Sequence, residues 1–458
     1  MTGLLIEGGT LLGLTEPADV HPNTDLYVED GRIRATGGEA AVLARRDSND
    51  ARGPVERLDA RGLWVLPGFV QAHLHLCQTL LRNGPDDLEL LPWLERHAWP
   101  GEAAHDAATM SVSARLGLAE SLSAGVTAVL DMGTVRHADA LFEAAAASGI
   151  RYVGGNVLMD DPETTPAYLR ASAAEGLAET DRLRTTWHGR ENGRLRVAVQ
   201  PRFAVSCTEG LLRAAAELAR DQDLVIHTHA SENVSECALV EKRTGLPNVE
   251  YLDSVGLLSP RTCVAHAVHT EGSDFRLLAE RGTTVAHCPS SNLKLASGVC
   301  PVPEMRRAGV RVALGSDGAA CNDRLDPFRE MWLAALLPRT RPDAGPLSSF
   351  EVLRMATWEG AAALGLEGPE GFVPGARADL VVLDPDRGWS LPDDWSSEPY
   401  GSIVYSMGRE NVAATIVDGV VRYRAGDETV GGIKPGAAEV RRAVAGMRKR
   451  MRDGGPFR

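Results

Sequence analysis

Eight short apolar runs of strand-like composition recur along the middle of the chain, and most lead into a stretch with helical periodicity. They are LWVLPGFVQAHLH, VTAVLDMG, RYVGGNVLMD, LRVAVQPRF, LVIHTHASE, CVAHAVH, TTVAHCP and VRVALGSDG, from Leu63 to Gly318. Near-continuous apolar runs are what strands buried on both faces require. Between them lie segments such as ATMSVSARLGLAESLSAG and EGLLRAAAELARDQD, whose Leu and Ala positions repeat at three and four residues. Such alternation predicts an α/β fold, a (β/α)8 TIM barrel over residues 63–370. In that architecture the active site sits at the C-terminal ends of the strands.

The two chain ends carry a different pattern. Residues 1–62 (LLIEGGTLL, DLYVEDGRIRATG, VERLDARG) and 371–427 (GFVPGARADLVVLDP, VAATIVDGVVRYRAG) show short runs broken by Gly and Asp turns. Both read as antiparallel strands. Neither holds enough apolar surface alone, so they are expected to pair into one small composite β-sandwich domain. Residues 428–458 form a tail whose AAEVRRAVAGMRKRMR predicts a basic helix, solvated or facing another subunit.

Composition narrows the function. A hydrophobic content of 44% and a charged content of 24% in 458 residues place the chain among ordinary globular proteins. The formal net charge of −14 repels polyanions, so nucleic acid and acidic membrane are excluded as partners while small neutral molecules are not. Seven cysteines without a Cys-x-x-Cys pair point away from a disulfide scaffold and toward a reducing cytoplasm. No run is long and apolar enough for a membrane helix. A barrel with an added β domain leaves apolar surface that predicts a homo-oligomer.

The candidate chemistry lies where the strand-like runs end. His73 and His75 close the first run, and residues two apart in a strand share a face. The fifth run holds His227, His229 and, three residues on, Glu232. His266 closes the sixth, and Asp317 follows the eighth between Ser316 and Gly318. His-Leu-His alone is a weak signal, and a lone buried histidine is more often a core residue. Four pieces in order, each at a strand end, point to one divalent metal. Imidazole suits zinc foremost, and iron next. His73, His75, His229 and Asp317 form the candidate ligand set, with a position left for water. His266 is a further ligand or a group supporting the site. His227 lies one layer deeper and reads as a support. Glu232 is placed to move a proton, although SEN is also good helix-capping chemistry. Asp317 can accept the proton of an attacking water, although Asp-Gly is also a common turn. The fourth run, LRVAVQPRF, has no lysine to bridge a second metal, so one ion is expected.

These strings resemble the amidohydrolase superfamily, and within it the aminohydrolases that use one metal. The resemblance runs from about residue 3 to about residue 425 and rests on HLHLCQTLLRNGPDDLELLPWLERHAWPGEAAH, PRFAVSCTEGLL, HTHASEN, AHCPSSNLKLASG and LGSDGAACND. It implies that His73, His75, His229 and Asp317 bind the metal, that Glu232 shuttles protons, and that His266 steers the attacking water. WLERHAWPGE is similar to the substrate-capping segment of adenosine-type members, where residues matching Trp93 and Glu102 stack on the base and bind ribose. In guanine deaminases, residues matching Gln78, Arg202 and Phe203 contact the purine. The chain carries both sets. The long PDDLELLPWLERHAWP stretch and the role Glu102 has only with a sugar favour a 5'-modified adenosine. Departures are Gly101 in WPGE, the AHAVHTEGSD segment and Asn156, where some relatives are basic.

The expected activity is hydrolytic deamination of a small purine, most readily 5'-deoxyadenosine, methylthioadenosine or S-adenosylhomocysteine. Alternatives are a guanine or other free-base deaminase, a triazine hydrolase and, more distantly, a non-catalytic binding protein. The nucleic-acid-type zinc deaminases are excluded, because their His-x-Glu with Pro-Cys-x-x-Cys is missing.

Overall fold

The computed structural model describes residues 3–49, 55–341, 343–366, 371–388 and 399–453. The repeated alternation folds as eight parallel strands: Phe69–Leu74, Val126–Asp131, Arg151–Gly154, Leu195–Pro201, Val225–Ala230, Thr262–His266, Thr284–His287 and Arg311–Leu314. Each pairs with the next in chain order. A two-residue strand, Val157–Leu158, adds to the ladder beside the fourth.

One buried cluster draws on every strand, through Val70, Ala128, Val153, Ala198, Val225, Cys263, Ala286 and Ala313. A cluster reached from all eight strands is the interior of a TIM barrel, and its small side chains suit a narrow one. The eighth strand meets the first where the Asp317 amide donates to the His73 carbonyl at 3.1 Å. The Ser316 amide donates to Gln71 Oε1 at 2.7 Å. Gly315 permits this closure, since a Cβ there would lie 2.7 Å from the His73 carbonyl oxygen and 2.9 Å from its nitrogen.

The outer helices begin where the sequence supplies caps. Asp106 accepts from the Thr109 amide to open Ala107–Ser123, and Thr208 accepts from the Leu211 amide to open Glu209–Asp221. In the second helix Leu211, Leu212, Ala215, Ala216 and Ala219 are buried. That one-sided stripe is what docks a helix on a sheet.

The first apolar run is two strands rather than one. Trp64–Pro67 pairs antiparallel with Leu380–Leu383, and only from Phe69 does the chain enter the barrel. Both chain ends combine in a separate eight-stranded sheet. It is one hydrogen-bonded path that bends over a shared apolar cluster including Ile6, Leu26, Ile33, Leu380 and Ile416. Leu4–Leu12 supplies the bend: its first half pairs with Glu56–Asp59 and its second with Trp64 and Val65, with a register break at Gly8 and Gly9. Gly8 has φ +66°, a conformation that favours glycine.

Two features depart from the pattern reading. Gly38–Asn49 is a helix within the stretch read as strands, packing Ala40 and Ala44 on Leu5, Tyr27 and Ala35. The basic tail helix, Ala437–Arg452, is not simply solvated: Ala443 and Met447 are buried against the barrel's own helices. Its charges mask a narrow apolar stripe. Among the described residues, no helix is long and apolar enough to cross a membrane.

Candidate metal centre and active site

The histidines converge because strand ends converge. Between the paired positions Gln71–Val129 and Leu74–Asp131, Ala72 and His73 oppose Leu130 alone, a bulge that includes the first histidine. Bulges re-aim side chains next to active sites. The His73 and His75 ring centroids are 5.0 Å apart, and His73 lies 4.8 Å from His229 and 5.3 Å from His266. The backbone around them is unusual: Ser231, His266, Ala267 and Asp317 have φ of +53°, +74°, +46° and +61°. Non-glycine residues in that region cost about 1–3 kcal/mol each and persist where the surroundings hold them.

Among the described residues four donor triplets have atoms within 4.8 Å of one another: His73–His229–His266, His73–His75–Asp317 and Glu232–His266–Asp317 around one point, and His75–Cys77–Glu102 to one side. Asp317 Oδ1 lies 3.3 Å from His73 Nε2 and 3.4 Å from His75 Nε2. His75 Nε2 and His229 Nε2 are 3.3 Å apart. His229 Nδ1 donates to the Arg202 carbonyl at 2.7 Å, which leaves its Nε2 as a lone pair aimed inward. Among the described residues, His73 Nε2 and His266 Nε2 have no hydrogen-bond partner although fully buried. Lone pairs and a carboxylate crowded together in a dry pocket repel unless a cation lies among them. The donor set therefore fits a divalent metal of the imidazole-and-carboxylate type.

His227 stands behind the cluster, with Nε2 2.8 Å from His73 Nδ1. Glu232 does not cap the following helix. Asn233 does, accepting from the Ser235 amide, while Glu236 takes the Glu232 amide at 2.7 Å. The Glu232 carboxylate is left to face His266 Nε2 at 3.4 Å. Burial, then the charges of Asp317 and Glu236, holds it well above the usual carboxylate range. Asp317 Oδ1 does accept its own turn amide, from Gly318 at 2.6 Å, and Oδ2 accepts from Ser291 Oγ at 2.5 Å.

A cavity opens beside these groups. Its walls include Gln78, Trp93, Arg202, Phe203 and the apolar Leu90, Leu94 and Leu295. Glu102 sits just behind. Arg202 grips its carboxylate with two bonds, 2.7 and 3.0 Å, and Gln78 Nε2 donates to it at 2.8 Å. Burial alone would raise the Glu102 pKa, but the Arg202 guanidinium outweighs it and holds the carboxylate below its ordinary value. Gln78 Oε1 and Trp93 Nε1 are buried without hydrogen-bond partners among the described residues. A second cavity, between the small sheet and the other end of the barrel, holds none of these groups.

Asn156 turns away from the cavity and bonds the Gly176 carbonyl and Thr180 hydroxyl at 2.9 and 2.8 Å. His269, in the AHAVHTEGSD segment, bonds the Ser297 carbonyl at 2.8 Å. The sequence reading missed Asn292, whose Oδ1 lies 2.8 Å from His266 Nδ1, and Ser291. Both lie in AHCPSSNLKLASG, a string noted as specific but given no residue roles.

Comparison with known proteins agrees with this geometry. The profile of the amidohydrolase family matches residues 64–422. A 5-methylthioadenosine/S-adenosylhomocysteine deaminase of Nitratidesulfovibrio vulgaris (strain DSM 19637 / Miyazaki F) is 38% identical over 426 residues, 92% of each chain. A 5'-deoxyadenosine deaminase of Methanothermobacter thermautotrophicus is 40% identical over 406 residues, 88% of this chain and 90% of that one. A crystal structure of an adenosine deaminase from Xanthomonas campestris with bound zinc superposes with a TM-score of 0.86 at 30% identity, covering 99% of each chain.

Proposed function

The chain belongs to the amidohydrolase family, and we propose that within it the protein is a zinc-dependent deaminase of 5'-modified adenosines, releasing ammonia and the inosine analogue. One observation carries this reading: His73, His75, His229 and Asp317 crowd together at one cavity, with the Glu232 carboxylate beside them, 3.4 Å from His266 Nε2. The names of the relatives support the substrate class.

His73, His75, His229 and Asp317 would hold a divalent metal, which would supply the acidity that makes water a nucleophile near neutral pH, a pKa shift from 15.7 to about 7. The protein's own groups do the rest. Glu232 gives its proton to the ring nitrogen beside the amino-bearing carbon as the water oxygen bonds to that carbon. Asp317 takes the proton the water loses and returns it to the departing amine. His266, held through Nδ1 by Asn292 Oδ1, turns Nε2 to the site, where it can accept a hydrogen bond from the attacking water and so orient it. The carbon–nitrogen bond then breaks, ammonia leaves, and the proton remaining on the oxygen passes to the Glu232 carboxylate, restoring it as the product carbonyl forms. Trp93 and the leucines roof the cavity and exclude bulk water, which strengthens each of these contacts.

Free-base deamination is the second reading, and the Gln78–Arg202 pair at the cavity wall favours it. The deciding experiment measures ammonia release by the zinc-loaded protein from adenosine, 5'-deoxyadenosine, methylthioadenosine and S-adenosylhomocysteine against guanine and adenine. Turnover confined to the nucleosides supports the proposal, and turnover of guanine alone refutes it. The same reading has the enzyme working as a homo-oligomer in a reducing cytoplasm, supported on the second point by seven free cysteines.

A further inference from the structure

The C-terminal helix Ala437–Arg452 has no part in the chemistry above, yet it reaches the segment that roofs the cavity. It packs through Ala443 and Met447, with Val440, Val444 and Met451 partly buried on the same cluster, and Glu439 pairs with Arg115 near its start. From its last turn Arg450 spreads its whole guanidinium over one short stretch of backbone. Nε donates to the Ala104 carbonyl at 2.6 Å, Nη1 to Asp106 Oδ2 at 2.8 Å and Nη2 to Thr109 Oγ1 at 3.2 Å. Between these acceptors lies His105, whose Nε2 donates to the Cys77 carbonyl at 2.8 Å and whose Nδ1 is 3.2 Å from Thr109 Oγ1.

The two stretches tied together here are those whose side chains meet in the site. Glu102 precedes Ala104 by two residues, and Gln78 follows Cys77 by one, and Gln78 and Glu102 bond each other at 2.8 Å. The capping stretch that begins near Leu90 ends at this junction. Stability alone does not call for an arginine there. The Arg450 side chain is 32% exposed and that of Asp106 50%, so water could satisfy the same acceptors. What water cannot do is hold three acceptors at fixed separations, which a planar guanidinium fork does.

We propose that Arg450 is a positioning residue: through the Ala104 carbonyl, Asp106 and Thr109 it fixes the end of the capping segment and so the placement of Glu102. Substrate affinity then depends on a side chain far along the chain from every proposed site residue. The proposal rests on the deaminase reading for its kinetic test, but not for its structural one.

The test uses the full-length, zinc-loaded protein and Arg450→Ala, Arg450→Lys and Lys449→Ala. KM and kcat are measured with the nucleoside the wild type deaminates best, alongside metal content and amide hydrogen exchange over residues 88–106. Arg450→Ala is expected to raise KM at least about tenfold while kcat stays within about threefold, because a misplaced binding group weakens capture of substrate more than chemistry. Exchange over 88–106 quickens, metal content holds, Arg450→Lys recovers part of the loss, and Lys449→Ala behaves as wild type. Unchanged KM and exchange in Arg450→Ala overturn the proposal. So does a fall in kcat at constant KM, the mark of a smaller folded fraction. If the wild type deaminates no nucleoside, the deaminase reading fails and exchange decides alone: faster exchange confined to 88–106 sustains the positioning role, and unchanged exchange removes it.

Discussion

The buried Glu102–Arg202 pair gives the sharpest test of how the cavity wall is built. Both side chains are only 4% exposed, and three hydrogen bonds converge on the carboxylate. Replacing Glu102 with Leu leaves a buried guanidinium without its counter-charge and Gln78 without its acceptor. Breaking one side of such a pair costs about 3–5 kcal/mol. Replacing Arg202 with Met strands the carboxylate, with a penalty of about the same size. The double variant removes both charges, so much of the loss should return, and a coupling of about 2 kcal/mol or more is expected. The assay is a double-mutant cycle from equilibrium urea unfolding of the metal-loaded protein. If the two single effects add to within about 0.5 kcal/mol, the pair is not the coupled unit described and the argument fails. The result also bears on substrate tests. Because Glu102 holds Arg202 and Gln78, removing it disturbs base-reading and sugar-reading groups together. Loss of activity in a Glu102 variant therefore does not separate nucleoside from free-base deamination, and the substrate panel must.

Other expectations follow from the same structure. Glu232→Gln should keep its metal and lose at least about a hundredfold in turnover, the usual contribution of a positioned general acid; near-normal turnover would remove its proposed role. Chelation should abolish ammonia release and added zinc restore it, while Asp317→Ala should fail to regain either metal, by elemental analysis, or activity. Gly315→Ala should cost about 1–3 kcal/mol and loosen metal binding, since the added carbon meets the His73 backbone at 2.7 Å; a wild-type melting point would contradict the closure described. His105, whose pKa burial lowers to about 4 from 6.5, stays neutral in the fold while the unfolded chain binds a proton. Stability is thus lost as pH falls from about 6.5 to about 4, and His105→Gln should show a shallower acid slope in thermal melts over that window.

How much of this was written in the chain depends on how local the cause is. Strand–helix alternation is set by side-chain period and by caps such as Asp106 and Thr208, so the barrel was legible from pattern alone. The convergence of His73, His75, His229 and Asp317 was legible too, because a histidine or aspartate at the end of a buried strand has one place to point. Pairing of the two chain ends could be expected from their shared style, but the single curled sheet could not, since it depends on Leu4–Leu12 changing partners midway. The helix Gly38–Asn49 and the docking of Ala437–Arg452 were hidden because their apolar stripes are narrow and make sense only against a surface built elsewhere. The capping alternative at Glu232 was removed by Asn233 taking the cap, a contest between neighbours that composition cannot score. The joining of Gln78, Glu102 and Arg202 was beyond any reading of the sequence. Those residues lie as far as 124 positions apart, and only the barrel's closure, with its long-range approach of strand ends, puts their charges within bonding distance.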